Sequence, residues 1–467
     1  MRLKLESFKE KNDIHITADS YWFFAQLFIR IIIGLISCDQ AYSSTPNYRF
    51  DLGQAIQYAK SHSPQYQKIQ IDLESAQVAE NTARIKLYPS LDMSLSQTGK
   101  GDFTGDNPLP YQQSFDLELS QKIYDNGVTY TQAMIAKIQR QRTELEARKQ
   151  LDLLTLAIAD EFINYSQASH LADMSRERQI DEEKQFHIIE SYFRNGIKPE
   201  YDYLRYQSAF EWTRLRLKEQ NDLVHKSILK LKTLIGLDEA NEQNLSTSFD
   251  LTHLFEPLAK PAMEVPKYTE AKIQTTETLE AKIADLTNDI NNWQIQIARR
   301  RSGPEVLLNA GLTSSTARSF GPHDSAPTTT QQGWNAGLVL KYNLLDWGAR
   351  DNEVKTVSLQ ARASELESMK QLQDIQLSVQ QLNSDSKSAV ERLNGLQNLL
   401  KTNLRIWSQT HQKYRLGQIS VADLTTVNSE LYFVKSQFVE AHFGFVKLQY
   451  QQKRLQGVLY EDLTKNL

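Results

Sequence analysis

The chain has 467 residues, with 53 basic and 57 acidic side chains and a formal net charge of −4. It shows no basic patch with interleaved aromatic residues, which argues against nucleic acid as a partner. Its single cysteine, Cys38, excludes an internal disulfide framework and a zinc site of paired cysteines, and its nine histidines lack ligand spacing, so neither a metal nor a cofactor is expected.

The first 44 residues are predicted to be an export signal. An apolar run from Trp22 to Ile36, interrupted by Arg30, is short for a membrane span and suits a signal segment. Residues 35–38 read Leu-Ile-Ser-Cys, which fits a bacterial lipobox, and in that case Cys38 is lipidated and becomes the mature amino terminus. Ordinary cleavage near residues 41–44 and an uncleaved anchor are the alternatives.

The next segment predicts a helix followed by a β hairpin. Apolar residues have helical spacing over about 50–87, with a break at Pro64. Apolar and polar residues then alternate through two segments, about 89–99 and 113–122, as is typical of strands. A loop rich in Gly, Asp and Pro separates the two segments, so they are expected to pair.

A very long helix is predicted after the hairpin. A turn containing Asp125 and Gly127 leads into nearly seventy residues without proline, which end at Gly196. A helix of that length measures on the order of 100 Å and cannot be a globular core helix. Gly196 suits the left-handed residue that ends a helix, and a return helix is expected over about 201–234.

The second half of the chain repeats the first. Strands are predicted at about 304–314 and 333–343, and upstream of them the shift is 215 residues instead of 221 because the second hairpin loop is longer. We therefore divide the chain into a first repeat (45–237), a linker rich in Asn, Glu and Pro (238–267) and a second repeat (268–467). The shift of 221 residues carries Asp125, Gly127, Gly196 and Asp202 onto Asp346, Gly348, Gly417 and Asp423.

The four predicted strands have the length of outer-membrane strands, which span the bilayer with about 9–11 tilted residues. Four strands cannot close a barrel, and open sheet edges are not tolerated in lipid, so several copies of the chain are expected to pool their strands. Tyr88, Tyr124, Tyr342 and Trp347 lie at strand–helix junctions, where a membrane interface favours aromatic rings, although core packing at a domain seam is the alternative.

These elements, in this order and at this spacing, resemble the TolC-like outer-membrane efflux proteins over residues 51–457. The resemblance rests on the opening Leu-Gly-Gln-Ala-Ile at 52–56, the strand-to-helix turns at 120–127 and 342–348, and two tip motifs, Phe193…Gly196…Asp202 and Tyr414…Gly417…Asp423. It implies an α+β membrane protein with four β-strands and long α-helices in each protomer, which forms a homotrimer with a twelve-stranded barrel in outer-membrane lipid and a helical periplasmic tunnel. Such a passive duct works with a periplasmic adaptor and an inner-membrane ABC or proton-driven pump, in efflux or type I secretion.

The resemblance also implies roles at the periplasmic entrance. Asp423 matches a residue that narrows the aperture, and Tyr414 and Asp202 match a pair that latches the hairpins shut. Ile419 and Thr426 depart from the family, since a gating arginine and a second acidic ring can occur at these positions. The alternative for Asp423 is helix capping, because residues 420–423 read Ser-Val-Ala-Asp, a capping-box pattern.

A periplasmic adaptor and a secreted enzyme are the alternative classes of protein. A periplasmic adaptor shares long helical hairpins and an export signal, but it needs a lipoyl-like β domain split by one hairpin, and this chain has paired hairpins. A secreted enzyme has little support, because no nucleophile–base pair, paired carboxylates or phosphate-binding loop emerges. The sequence therefore predicts a non-enzymatic channel and leaves its cargo open.

Overall fold

The computed structural model describes residues 50–99, 109–237, 256–259, 270, 273, 278–320 and 329–464. The predicted export signal with Cys38, both hairpin loop tips and most of the predicted linker lie outside the described residues. The described elements are α1 (Leu52–His62), α2 (Pro64–Ile85), β1 (Ser90–Gly99), β2 (Leu109–Tyr124), α3 (Val128–Arg194), α4 (Glu200–Ile235), α5 (Leu279–Arg300), β3 (Glu305–Phe320), β4 (Thr329–Lys341), α6 (Ala349–Arg415), α7 (Val421–Leu455) and α8 (Leu459–Thr464).

The same order of elements occurs twice, and the two long helices α3 and α6 have 67 residues each. Each begins after a glycine in the left-handed region, Gly127 at φ 78° and Gly348 at φ 84°. Each is followed by another such glycine, Gly196 or Gly417, both at φ 69°. Residues with a Cβ rarely adopt this conformation, so the glycines define where the helices begin and end.

The four strands form one antiparallel sheet in the order β1-β2-β3-β4. Leu117 lies opposite Met93 on one side and Leu312 on the other, so the apolar residues of neighbouring strands share a face. Glu118 lies opposite Asp92 and Gly311 on the other face. The sheet thus has one apolar face and one polar face.

Strands β2 and β3 are longer than the sequence predicted. The alternation of apolar residues suggested about 113–122 and 304–314, whereas the strands run over Leu109–Tyr124 and Glu305–Phe320. The added residues do not continue the alternation of apolar and polar types, and ladder pairing holds them, as between Ala317 and Gln112. Backbone hydrogen bonding extends a strand beyond the segment that burial selects.

The core consists of thin apolar clusters along the helix pairs. Phe438 and Leu393 pack between α6 and α7, and Ile163 and Phe443 pack between α3 and α7. The second of these clusters joins the two repeats. Among the described residues no helix is both long enough and apolar enough to cross a membrane.

A short piece of the predicted linker, residues 256–259, is fastened to α3. The backbone N–H of Leu258 donates to Ser166 Oγ at 2.9 Å, and the Leu258 carbonyl lies 2.7 Å from His170 Nε2. A carbonyl can only accept, so His170 carries its proton on Nε2. These two contacts fix the segment against the α3–α7 cluster.

Candidate functional site

The helical hairpin of α3 and α4 contacts the hairpin of α6 and α7 near the turns at Gly196 and Gly417. A small apolar cluster joins the two hairpins there. Ile189 of α3, Tyr206 of α4 and Val421 of α7 are buried together, with Phe186 and Tyr414 packed against them. We call this set the tip cluster. It brings the candidate entrance residues of both repeats into one place.

Asp423 lies at the first turn of α7 and forms a capping box with Ser420. Its Oδ2 accepts hydrogen bonds from the Ser420 backbone N–H at 3.2 Å and from the Ser420 hydroxyl at 2.7 Å, while its own N–H donates to Ser420 Oγ at 3.2 Å. These bonds to Ser420 lower the pKa of the Asp423 carboxyl, and the positive charge of Arg205 contributes in the same direction. The side chain is exposed, so its charge also faces solvent.

Tyr414 and Asp202 approach each other within one chain. Burial in the tip cluster raises the pKa of the Tyr414 hydroxyl, and Tyr192 and the negative charge of Asp202 raise it further. Asp202 lies 3.8 Å from Lys198 in a long ion pair. Within the described part of the chain no hydrogen bond joins Tyr414 to Asp202, so the structure brings the proposed latch residues together without closing the bond.

Ile419 and Thr426, the two positions that depart from the TolC-like pattern, lie beside the start of α7. Ile419 lies in the turn just before the Ser420 cap, and Thr426 donates its hydroxyl to the Ala422 carbonyl at 2.9 Å. Arg205 of α4 is a cation whose charge contributes to lowering the pKa of Asp423. Sequence reasoning missed Arg205, although its position three residues after Asp202 on the return helix was a usable signal.

A polar network on the body side of the tip cluster was also missed. Arg178 pairs with Glu182 at 2.6 Å, donates to Ser429 of α7 at 3.2 Å and places its guanidinium 4.9 Å from the centre of the Tyr432 ring. Glu182 in turn accepts from the Thr213 hydroxyl at 2.5 Å. The network ties α3, α4 and α7 together beside a groove of about 340 Å³.

The strand-to-helix turns are built by their aspartates. Asp125 Oδ1 accepts the N–H of Gly127 at 3.1 Å, and Asp346 Oδ1 accepts the N–H of Gly348 at 3.2 Å. Asp346 also pairs with Arg350 at 2.7 Å. A carboxylate at this place stabilises the positive end of the helix that follows.

The described residues contain no group of three or more His, Cys, Asp or Glu side chains that could hold a metal ion. The residues at the tips are single carboxylates, tyrosines and arginines, which can attract ions and hold hairpins together.

The fold is that of a channel protomer, with a four-stranded sheet joined to two long helical hairpins. Solved structures with this fold include the CmeC outer membrane channel of Campylobacter jejuni, at a TM-score of 0.71 and 16% identity over 89% of this chain and 88% of that one. The outer membrane protein VceC of Vibrio cholerae has a TM-score of 0.70 and 14% identity over 87% and 96% of the two chains. The open state of the MtrE outer membrane channel of Neisseria gonorrhoeae has a TM-score of 0.67 and 15% identity over 90% and 94%.

The sequence model of the outer membrane efflux protein family matches residues 55–237 and 284–455, one segment in each repeat. No curated protein sequence matches the chain. Because the family match covers most of the chain, the protein belongs to the outer membrane efflux protein family. The sequence prediction of a TolC-like α+β protomer is confirmed.

The protein is thus an outer-membrane exit channel of an efflux system, with a helical extension in the periplasm. Its family and fold are those of transport channels and not of enzymes. The periplasmic adaptor, the alternative that shared the long hairpins, is set aside by the family match.

Proposed function

We propose that three copies of the chain form the working channel, with a twelve-stranded barrel that continues into a tunnel of helices. The observation that carries this proposal is the open sheet, in which β1 and β4 are exposed along their whole length. An open edge in hydrocarbon leaves backbone N–H and C=O groups without partners, at a cost of several kcal/mol for each group. Three copies of four strands remove every edge and give a barrel of ordinary size for an outer-membrane channel.

The channel is passive and depends on partners for energy. We propose that it receives cargo through a periplasmic adaptor from an inner-membrane pump, which is either an ABC transporter or a proton-driven transporter. The absence of a nucleotide-binding motif in the sequence supports an external source of energy. Efflux of small molecules and type I secretion of proteins both fit such a duct.

The assembly is tested by measuring the mass of the detergent-solubilised particle and its conductance in planar bilayers. We expect a trimer that dissociates on heating, and a channel that conducts without nucleotide. A monomer with full β content by circular dichroism would contradict the trimer, and a trimer without conductance would contradict the duct. In-cell cross-linking from exposed tip residues such as Tyr201 then identifies the adaptor, and through it the class of pump.

We further propose that Asp423 lines the entrance and that Tyr414 and Asp202 close it. The exposed carboxylate of Asp423, at the end of α7 closest to the tips, supports the first assignment. The half-buried hydroxyl of Tyr414 within the electrostatic reach of Asp202 supports the second. Rotation of the second hairpin against the first would separate this pair and open the tip cluster, to which Tyr414 belongs.

A further inference from the structure

The internal repeat determines how one copy of the chain meets the next. We infer that β4 of one copy pairs with β1 of its neighbour in a single register, in which Leu340 lies opposite Leu95 of the neighbour, and that Lys341 forms an ion pair across this seam with Asp92. This inference rests on the proposed trimer and adds the pairing that closes it.

The repeat makes β1 equivalent to β3 and β2 equivalent to β4. Pro89 corresponds to Pro304, 215 residues later, and Asp125 corresponds to Asp346, 221 residues later. This correspondence can be checked within one chain. Ser90 pairs with Ser120 in the first hairpin, so the correspondence predicts that Glu305 pairs with Lys341 in the second. That pair is observed.

The same correspondence predicts how β4 of one copy pairs with β1 of the next, because these strands are equivalent to β2 and β3. Within one chain β2 pairs with β3, and Leu119 lies opposite Ala310. The equivalents are Leu340 in β4 and Leu95 in β1. These two strands are the outer edges of the sheet, and no strand pairs with their outer sides in the described part of the chain.

The resulting seam matches in chemistry as well as in register. Leu340 and Leu95 belong to the apolar face, where they are 68% and 74% exposed in the single chain. Val339 comes opposite Ser96 on the polar face, as Glu118 lies opposite Gly311 within one chain. A register shifted by one residue would place leucines opposite serines and turn apolar side chains into the lumen.

An ion pair with the same diagonal geometry is present inside the chain, although the repeat itself carries Lys122 and Glu305 onto Asn343 and Ser90. Lys122 Nζ lies 2.8 Å from Glu305, which is two residues before Leu307, the residue opposite Lys122. In the seam Ser94 of the neighbour is opposite Lys341, and Asp92 is two residues before Ser94. Lys341 and Asp92 therefore have the same diagonal relation, on the same polar face of the sheet.

Cysteine pairs test the register in the assembled particle, with the parent chain and its Cys38 as the control. Ser96→Cys with Val339→Cys places two cysteines directly opposite each other, at about 4.5–5.5 Å between Cα atoms, which a disulfide can bridge. Within one chain Ser96 lies level with Gln331 of β4, which is eight residues from Val339. Three strand spacings alone separate the two strands by roughly 14 Å, so a disulfide must join two copies. We expect mild oxidation to convert monomer into covalent dimer and trimer on a boiled, non-reducing gel.

Mismatched pairs on the same face, Ser94→Cys or Thr98→Cys with Val339→Cys, should remain monomeric on that gel. Stronger cross-linking of a mismatched pair would overturn the register while leaving the trimer intact. A parent chain that is not trimeric before oxidation would overturn the proposed assembly and the seam with it. Thr98→Cys with Gly337→Cys is a second matched pair, to be used if the first variant fails to assemble.

A double-mutant cycle tests the ion pair through the temperature at which the trimer dissociates. Asp92→Asn and Lys341→Gln should each lower this temperature. The double variant should dissociate at the same temperature as the less stable of the two single variants. Lys122 is bonded to Glu305 of its own chain, so Asp92→Asn combined with Lys122→Gln is the control and should be additive. Additive effects for Asp92 and Lys341 would overturn the pair.

Discussion

Asp423 caps a helix and carries an exposed charge. Its carboxylate accepts hydrogen bonds from the backbone N–H and the hydroxyl of Ser420, and it is exposed to solvent at the first turn of α7. The cap holds the carboxylate ionised, since hydrogen bonds to the charged form lower its pKa. The cap is therefore compatible with the proposed role of Asp423 at the entrance.

The charge and the cap can be separated by mutation. We expect Asp423→Asn to weaken block by multivalent cations, because three carboxylates around an axis concentrate negative potential in the entrance. Ser420→Ala removes the cap hydroxyl but keeps the carboxylate, so it should lower thermal stability and leave cation block largely intact. Single-channel recordings and thermal melts of both variants check this. Unchanged block in Asp423→Asn, together with a lower melting temperature, would leave capping as the residue's role.

Two buried tyrosines make a matched pair for testing the value of a hydroxyl. The Tyr66 hydroxyl lies 3.1 Å from Thr155 Oγ1 in the core, whereas the Tyr206 hydroxyl is buried without a hydrogen-bond partner among the described residues. We expect Tyr66→Phe to reduce the free energy of unfolding by about 1 kcal/mol per chain and Tyr206→Phe to leave it unchanged or raise it. Denaturant titration of both variants measures the difference, and equal losses would contradict it.

Tyr66 also predicts an alkaline limit to stability. Burial raises its pKa to about 12, above the ordinary value of 10.0. Its stabilising contribution is complete below about pH 10 and is lost as the pH rises to about 12, because the unfolded chain releases the proton first. The melting temperature of Tyr66→Phe should therefore fall less steeply than that of the parent across this interval.

At the level of the sheet, the two faces should respond oppositely to charge. Leu117 belongs to the apolar face and Glu118 to the polar face. Leu117→Arg should destabilise the barrel by about 2–4 kcal/mol at mid-membrane depth, and Leu338→Arg should behave alike. Charge at Glu118 or Asn309 should be tolerated because water fills the lumen. The yield of heat-labile trimer in outer membranes measures both sets, and equal yields would refute the assigned facing.

The elements were readable from the sequence to different extents. Return helix α4 was predicted at about 201–234 and runs over Glu200–Ile235, because Gly196 marks the turn before it. Strands β2 and β3 were predicted too short, since pairing and not burial holds their outer residues. The network of Arg178, Glu182 and Thr213 could not be predicted from the sequence, because Glu182 and Thr213 are 31 positions apart and meet only after the hairpin folds.

For the whole molecule, the contact between α3 and α7 joins the two repeats and includes a histidine pair. Burial, and then neighbouring His170, lowers the pKa of His442 below its usual value of 6.5. Neutral His442 contributes stability that is fully present above about pH 6.5. This contribution is lost as the pH falls through the lowered pKa, because His442 is then protonated in a partly buried site next to His170. We expect the assembled channel to dissociate at a lower temperature at pH 5 than at pH 7.5.

His442→Gln should reduce this acid sensitivity, because the variant has no proton to take up at that position. The exposed His225→Gln is the control and should retain the parent's response. The temperature of trimer dissociation across pH 5–8 distinguishes them. An identical pH dependence in parent and His442→Gln would show that the acid response arises elsewhere.

The equal lengths of α3 and α6, 67 residues each, have a consequence for how such a protein can change in evolution. Seven residues added to one rod alone would displace its tip by roughly 10 Å and pull Val421 away from Ile189. An insertion is therefore tolerable only when the other rod, and both return helices, acquire the same length. The distance that the helical hairpins extend into the periplasm was set for both repeats by duplication, and it can change only by equal insertions in both.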